Sequence, residues 1–461
     1  MDLEKYYAIL RHNVIVRKTG NRYIPIKTDC DYSKRNMISL TEDGVRLLDF
    51  VKVERSISEV FQRFGVQPSE QKPFLDYLDF LAKEGYVTLW DMEPAGKEFI
   101  SNIVRTEWAP AHTPFSATIE LTSRCNFNCI HCYLGDKRMD NYEMSTSQIK
   151  TIIDRLAKAG MLVLYLSGGE PLLRSDFKEI YIYARKKGML IVLFTNGYLM
   201  DNNLLEVFLE LPPLEIDISL YGSNDEKYEE ITGIKGAFTK IIDNIKLFKE
   251  SGITVSIKSP IMVNLADDLP ELFSVAKKLD VDFRINFDIY PTLNNESRGH
   301  LKVTASKAVE LYAFYSKTYR GDAETLLESI KNKGSERRKT RYACLIGKCS
   351  CFISYKGKIS PCIETRNSGI DIFDENFDAL WEKIGNISYN KLIDKDEKEY
   401  KCLSCRNGCI CNSCPAQRER KYGSPLIVKD EDCEYTLELA EHILKEEGIV
   451  EIDFGGNRIA V

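Results

Sequence analysis

The chain has 461 residues, 44% of them apolar; this is more than one hydrophobic core ordinarily takes up and excludes a single small domain. Its 63 basic and 69 acidic side chains leave a net charge of -6, which excludes the basic surface of a protein that coats nucleic acid. No apolar run approaches the roughly 18 residues that cross a bilayer, so a soluble, cytoplasmic protein with no membrane and no nucleic-acid partner is expected.

Residues 1 to 95 read as a small α/β module. β-Branched stretches at Asn13–Arg17, Tyr23–Ile26 and Asn36–Leu40 predict three strands, and helical spacing follows at Thr41–Val51, Ser56–Phe64 and Ser69–Glu84. Strands followed by helices in this order make a winged-helix-like unit. Residues 96–115, with Gly96, Pro110 and Pro114, form a linker.

From Ser116 to residue 333 strand and helix patterns alternate. Strands are predicted at Ala117–Leu121, Leu162–Leu166, Leu190–Phe194, Glu215–Leu220, Thr254–Ser259 and Asp282–Ile289. Helices fall at Thr146–Ala159, Asp176–Lys187, Asn203–Leu211, Phe238–Glu250, Leu269–Lys278 and Ala305–Tyr319, and Ser145 with Gln148 form a capping box for the first. Six consecutive βα units imply an α/β fold, a partial (β/α)6 TIM-like barrel whose chemistry lies at the carboxyl ends of its strands. Residues 334–461 lose this periodicity, and cysteines take over until a helical pattern returns at Glu434–Glu447.

The fourteen cysteines are unevenly spread: Cys30 alone, three between 125 and 132, and ten between 344 and 433. Thiols in such number in a large cytosolic chain point to metal or redox chemistry, and thiolates select zinc or iron–sulfur centres. Five histidines leave little material for a mixed centre. Cys125, Cys129 and Cys132 form C-x3-C-x2-C just after the first strand of the βα series. Three thiolates hold three irons of a cubane and leave the fourth open to a small ligand; the bland alternative is a zinc site short of one ligand.

The segment Ser123–Tyr133, SRCNFNCIHCY, resembles the cluster loop of the radical S-adenosylmethionine (radical SAM) superfamily, whose open iron is chelated by the methionine moiety of SAM. Gly168, Gly169 and Glu170, after the second strand, resemble the family's GGE motif. The resemblance implies that they hold the methionine amine, that Asn196 and Ser219 contact the cofactor at later strand ends, that Lys258 pairs with the methionine carboxylate, and that His131 stacks on adenine. His131 stands where the family often has another aromatic residue.

The later cysteines, Cys344-x12-Gly357-x4-Cys362, Cys402-x2-Cys405-x5-Cys411-x2-Cys414 and Cys433, resemble the SPASM extension of radical SAM enzymes, with one residue fewer before Cys414 than its usual pattern. This implies two auxiliary 4Fe-4S clusters and three in all. One would use Cys344, Cys362, Cys414 and either Cys349 or Cys351; the other, Cys402, Cys405, Cys411 and Cys433. Paired C-x2-C sets also fit a zinc ribbon, and iron content separates the two. Cys409 and Cys30 are left over as buried small hydrophobes.

The module at 1–95 carries 8 basic against 4 acidic residues in its first 40 positions, but its helical half is acidic, the reverse of a DNA reader. Through Leu40–Phe50 and Phe74–Val87 it resembles the recognition element of enzymes that modify ribosomally synthesised peptides (RiPPs). That resemblance implies a leader peptide bound as an added strand, in a groove between Asn36–Leu40 and Phe74–Leu81. Together the resemblances imply a RiPP maturase of the sactipeptide and ranthipeptide type, an oxidoreductase that joins a cysteine sulfur to a carbon by means of a 5′-deoxyadenosyl radical. The implied partners are a precursor peptide and an electron donor such as flavodoxin or ferredoxin. The alternatives are a carbon-carbon cross-linking maturase, a formylglycine-forming sulfatase maturase and, from another class, an iron-sulfur DNA-binding regulator.

Overall fold

The structure is a computed structural model that describes residues 7–10, 14–19, 22–27, 39–51, 55–84, 86–89, 114–136, 140, 142–319, 347, 349–388, 400, 402, 405, 411, 413–446, 451–453 and 458–460. Cys30, Cys344, Cys409, residues 36–38 and most of the expected linker lie outside them.

The N-terminal residues form β1 (Tyr7–Leu10), a hairpin of β2 (Val14–Thr19) and β3 (Arg22–Lys27), α1 (Glu42–Phe50), β4 (Arg55–Ser56), α2 (Ile57–Phe64), α3 (Gln71–Lys83) and β5 (Val87–Leu89). The expectation of three strands and then three helices needs correction. The strands that close on the helices are β4, β1 and β5, in that order, and among the described residues β2 pairs only with β3. β1 and β5 are only four and three residues long, too short to show a period of two; pairing, not pattern, makes them strands. Leu47, Leu48, Val51, Val60, Leu78 and Leu81 bury themselves into one small core. Phe61 and Phe74 meet edge to face at 5.7 Å within it.

The central region is the expected βα series: β6 (Ser116–Glu120), α4 (Thr146–Lys158), β7 (Val163–Ser167), α5 (Phe177–Lys186), β8 (Leu190–Thr195), α6 (Asn202–Glu210), β9 (Glu215–Ser219), α7 (Asp225–Thr232), α8 (Ala237–Glu250), β10 (Val255–Pro260), α9 (Leu269–Leu279), β11 (Asp282–Asn286) and α10 (Ala305–Tyr319). Strands β6 to β11 pair in sequence order, all parallel. Ser145 caps α4 with the expected reciprocal bond to Gln148. Alternation along each strand sends Leu164, Leu166, Ile191, Leu193, Ile216, Ile218 and Ile257 into the apolar layer under the helices. Their neighbours Tyr165, Phe194, Ser219 and Lys258 face a cavity on the other side.

The sheet does not stop where the cysteine-rich region begins. β12 (Ser350–Ile353) lies parallel to β6 in the register Ser350↔Ser116 to Ile353↔Ile119, and β13 (Lys358–Ser360) and β14 (Ile370–Asp371) continue antiparallel. The result is a nine-stranded sheet. Gly357, at φ 72°, makes the turn between β12 and β13. Helices α11 (Phe377–Ser388), α12 (Pro415–Tyr422) and α13 (Glu434–Glu446) follow. No helix among the described residues is long and apolar enough to cross a membrane.

Candidate active site

A cavity of about 600 Å³ opens at the carboxyl ends of β6 to β11. Cys125, Cys129 and Cys132 share its wall with Gly168, Gly169, Asn196, Ser219, Lys258 and His131, so the structure brings together all the residues expected around the first cluster except Glu170. The cysteine loop is fastened at several points. Leu121 N–H donates to Ser167 O (2.9 Å), Asn128 N–H to Thr232 O (2.9 Å) and Ile130 N–H to Ile231 O (3.0 Å). On the other side the glycine loop lies directly against it, with Gly169 N–H donating to Thr122 O and Glu170 N–H to Arg124 O, each at 2.8 Å. Only glycine permits this approach: a Cβ on Gly169 would stand 2.2 Å from Arg124 O, and one on Gly168, at φ 145°, 2.4 Å from Thr122 O.

Glu170 belongs to the site but stands behind its wall. Its carboxylate is fully buried. Oε1 accepts from Thr195 Oγ1 (2.8 Å) and Leu172 N (3.0 Å), and Oε2 from Asn196 N (2.8 Å). Burial pushes this carboxyl up to about 7, against the pull of those three donors. Its evident work is to fix the turn after β8. From that turn Asn196 Nδ2 donates to Asn126 Oδ1 at 2.8 Å and reaches within 4.0 Å of Cys125 Sγ.

His131 meets Tyr221 edge to face at 4.7 Å. Its Nδ1 is buried with no hydrogen-bond partner among the described residues, and burial lowers the ring to about 4, which favours the neutral form. Tyr221 is held well above the usual phenol range by burial and by the Cys129, Cys132 and Cys125 thiols around it. Lys258 lies 3.5 Å above the Phe194 ring and 3.4 Å from Asp217 Oδ2. Burial lowers its ammonium pKa while Asp217 works to raise it.

Sequence reasoning missed Glu120, Tyr133 and Arg366. Glu120 is buried under the cavity floor, takes a hydrogen bond from the Tyr133 hydroxyl (2.7 Å) and pairs with Arg366 at 3.0 Å. Arg366 lies four residues beyond Cys362 and also stacks over Tyr133 and Phe352. One buried ion pair therefore ties the first cysteine loop to the C-terminal one. The only sequence signal was an acid at the carboxyl end of the first strand of the βα series, on the face that carries Ser116 and Thr118.

The later thiols fall into groups. Cys433 is raised by burial and by nearby Cys411, Cys402 and Cys405, so these four are neighbours. Cys362 and Cys414 both act on Tyr290. Cys351 and Cys349 differ. Cys351 packs with Ala117 and Ile353 and also borders the cavity, and burial alone pushes its thiol up; Cys349 is outside the cavity lining but acts on Tyr165, which belongs to it.

Among the described residues no three His, Cys, Asp or Glu side chains converge closely enough to hold a single ion. Soft donors spread around a cavity wall, with two cradling glycines beside them, fit a polynuclear iron–sulfur cluster with a small-molecule ligand better than one zinc ion.

Residues 119–276 match the radical SAM superfamily model. The chain carries a radical SAM domain and is an enzyme of that superfamily. Over 67% of the chain and 93% of its relative, it is 27% identical to an AdoMet-dependent heme synthase of Methanosarcina barkeri. It is also 27% identical to the antilisterial bacteriocin subtilosin biosynthesis protein AlbA of Bacillus subtilis, over 71% of this chain and 72% of that one. Around the radical SAM domain the whole fold is similar to that of Streptococcus suis SuiB bound to precursor peptide SuiA, with a TM-score of 0.59 at 17% identity over 92% of this chain and 99% of SuiB.

Proposed function

We propose that the protein is a radical SAM maturase that installs an intramolecular thioether, cysteine sulfur to carbon, in a ribosomally synthesised precursor peptide. The observation that carries the chemistry is the three-thiol loop locked against the glycine loop at the mouth of one cavity. The peptide substrate is supported by the similarity to AlbA and to SuiB with its bound precursor.

In this reading Cys125, Cys129 and Cys132 hold a 4Fe-4S cluster, and Gly168 and Gly169 let backbone approach the methionine end of SAM. Asn196, Ser219, Lys258 and the neutral His131 line the rest of its site, and Glu170 positions Asn196. When bound, the reduced cluster supplies the electron that cleaves SAM to methionine and a 5′-deoxyadenosyl radical. The protein's own part is to set the target C–H beside that radical and exclude water. The C-terminal thiols hold two auxiliary clusters. Cys402, Cys405, Cys411 and Cys433 form one set; Cys362 and Cys414 belong to the other with Cys344 and either Cys349 or Cys351, of which Cys351 borders the cavity together with Cys362. Residues 1–95 bind the leader peptide, 116–333 form the radical SAM core and 334–461 the SPASM region. On α3 the Tyr77 and Phe80 rings stack at 6.4 Å, and Phe80 is exposed, an apolar surface suited to a leader; residues 36–38 of the strand expected opposite it lie outside the described residues. Flavodoxin or ferredoxin is the expected reductant, and the cytoplasm the expected compartment.

The test is anaerobic incubation of the reconstituted protein with SAM, a reductant and a cysteine-containing precursor, followed by mass spectrometry. Loss of two hydrogens per cross-link with release of deoxyadenosine is expected, and no mass change would overturn the reading. A second reading, modification of a porphyrin, is favoured by the similarity to the heme synthase; turnover of an iron porphyrin in place of the peptide would establish it.

A further inference from the structure

Resting on the reading that Cys125, Cys129 and Cys132 hold the cluster that binds SAM, we infer that Tyr133 is a positioning residue for the third of those thiols. Arg366 and Arg420, both from the C-terminal region, are its two handles. SAM binding in the cavity and order in the segments that carry those arginines are therefore coupled.

Two different parts of the molecule hold the cysteine loop. The barrel fixes its first stretch, through the bonds from Glu170 N–H to Arg124 O, from Asn128 N–H to Thr232 O and from Ile130 N–H to Ile231 O. Further on, Cys132 N–H donates to Cys129 O (3.1 Å) and Gly135 N–H to Cys132 O (3.2 Å), both within the loop itself. Tyr133 fastens this second stretch to the rest of the fold at three points. Its hydroxyl donates to Glu120 Oε1 at 2.7 Å, its ring lies under the Arg366 guanidinium at 5.0 Å, and its carbonyl accepts from Leu293 N–H at 2.8 Å.

All three points lead to the C-terminal region. Arg366, four residues after Cys362, forks onto both oxygens of Glu120 (3.0 and 3.4 Å), and its Nε donates to Ile363 O at 3.0 Å. Its guanidinium also lies 4.9 Å from the Phe352 ring. Leu293 belongs to a turn in which Asn295 takes a φ of 64°. Arg420 of α12, six residues after Cys414, grips that turn. It donates to Pro291 O (3.1 Å), Thr292 O (2.6 Å) and Asn295 Oδ1 (3.3 Å), and pairs with Glu364 at 3.4 Å. Tyr133, Phe352, Cys362 and Ile363 all line the cavity, so the linkage runs along its wall. Buried, fork-shaped cations hold an angle as well as a distance, which apolar packing does not. Such outer partners orient a metal ligand, and coupling of this kind acts equally in both directions.

The test uses the reconstituted holoenzyme, anaerobic and without a reductant, so that nothing turns over. SAM affinity is measured by equilibrium dialysis, and amide hydrogen exchange is followed with and without saturating SAM. In wild type, SAM should slow exchange at least about fivefold in Ile363–Ser368 and in α12. Tyr133→Phe keeps the ring and removes the hydroxyl. It should weaken SAM binding about tenfold and abolish the protection of Ile363–Ser368, while protection of α7 on the barrel side persists. Arg366→Lys, which keeps a charge on Glu120 without the fork, should do the same; Arg420→Lys should abolish protection in α12. Wild type that binds SAM with no change in either C-terminal segment overturns the inference, whether or not the variants fold. So does a Tyr133→Phe protein whose unfolding midpoint falls while its SAM affinity and exchange pattern stay those of wild type. Fully iron-loaded wild type that binds no SAM overturns instead the reading on which the inference rests.

Discussion

The two cysteine-rich regions are built on different physical terms. The loop from Cys125 to Cys132 hangs from a parallel sheet and is fixed by backbone hydrogen bonds to the glycine loop and to the end of α7, so its thiols are placed before any metal arrives. Among the described residues the set Cys402, Cys405, Cys411 and Cys433 has no such sheet beneath it. Its chief protein anchor is the buried Arg418, which donates to Tyr400 Oη (2.8 Å), Ser413 Oγ (2.6 Å) and Pro425 O (3.1 Å). Burial and mutual repulsion keep Cys433 and Cys402 protonated. A metal centre of the kind proposed would take their protons and so be part of what folds the region. In the proposed reading the first region is a reaction site that the fold prepares, and the second is a region that an auxiliary cluster would complete.

The sharpest way to break this contrast is Gly169→Ala. Its Cβ meets backbone carbonyls at 2.2 and 2.5 Å, which no rotamer change relieves. SAM binding by equilibrium dialysis and deoxyadenosine release should both fall below detection while the far-ultraviolet circular dichroism stays native; retained binding would show that the two loops are not interlocked.

Next in size is Arg366→Met, which leaves Glu120 buried without its cation and should cost about 3–5 kcal/mol in denaturant unfolding. A loss under about 1 kcal/mol would mean that the pair does not join the two regions. Cys411→Ala should lower iron content by about four atoms per chain and make α12 and α13 the first segments to exchange amide hydrogens. Unchanged exchange would make the C-terminal region as self-sufficient as the first.

The smallest effect is a pH slope. The folded-state carboxyl of Glu170 is raised to about 7, so the native state holds a proton that the unfolded chain releases nearer 4.5. Its contribution to stability is complete below that lower value and is lost as pH rises through about 7. Denaturation midpoints from pH 5 to 8 should show this decline in wild type and not in Glu170→Gln; equal slopes would contradict the buried placement.

The βα series was readable because short apolar runs such as LIVLFT, Leu190–Thr195, recur between helices that repeat at their own period. α7 was not: DEKYEEIT has few apolar residues and owes its existence to the Asn224 cap and Gly233 at its end. The joining of β12 to β6 escaped notice because four residues carry too little pattern to show which strand they pair with. The cysteine and glycine motifs located the site, yet spacing alone did not show that Glu170 faces away from the cavity or that Cys351 borders it. Nor does spacing reveal a contact such as Glu120 with Arg366, separated by 246 residues; only the folded sheet brings them together.

The central claim is that the Cys125, Cys129 and Cys132 wall is where SAM is split. It is tested most directly by assaying deoxyadenosine from anaerobically reconstituted wild type and Cys129→Ala, each with SAM and dithionite. The account predicts steady release from wild type and none from Cys129→Ala; release from both at similar rates would contradict it.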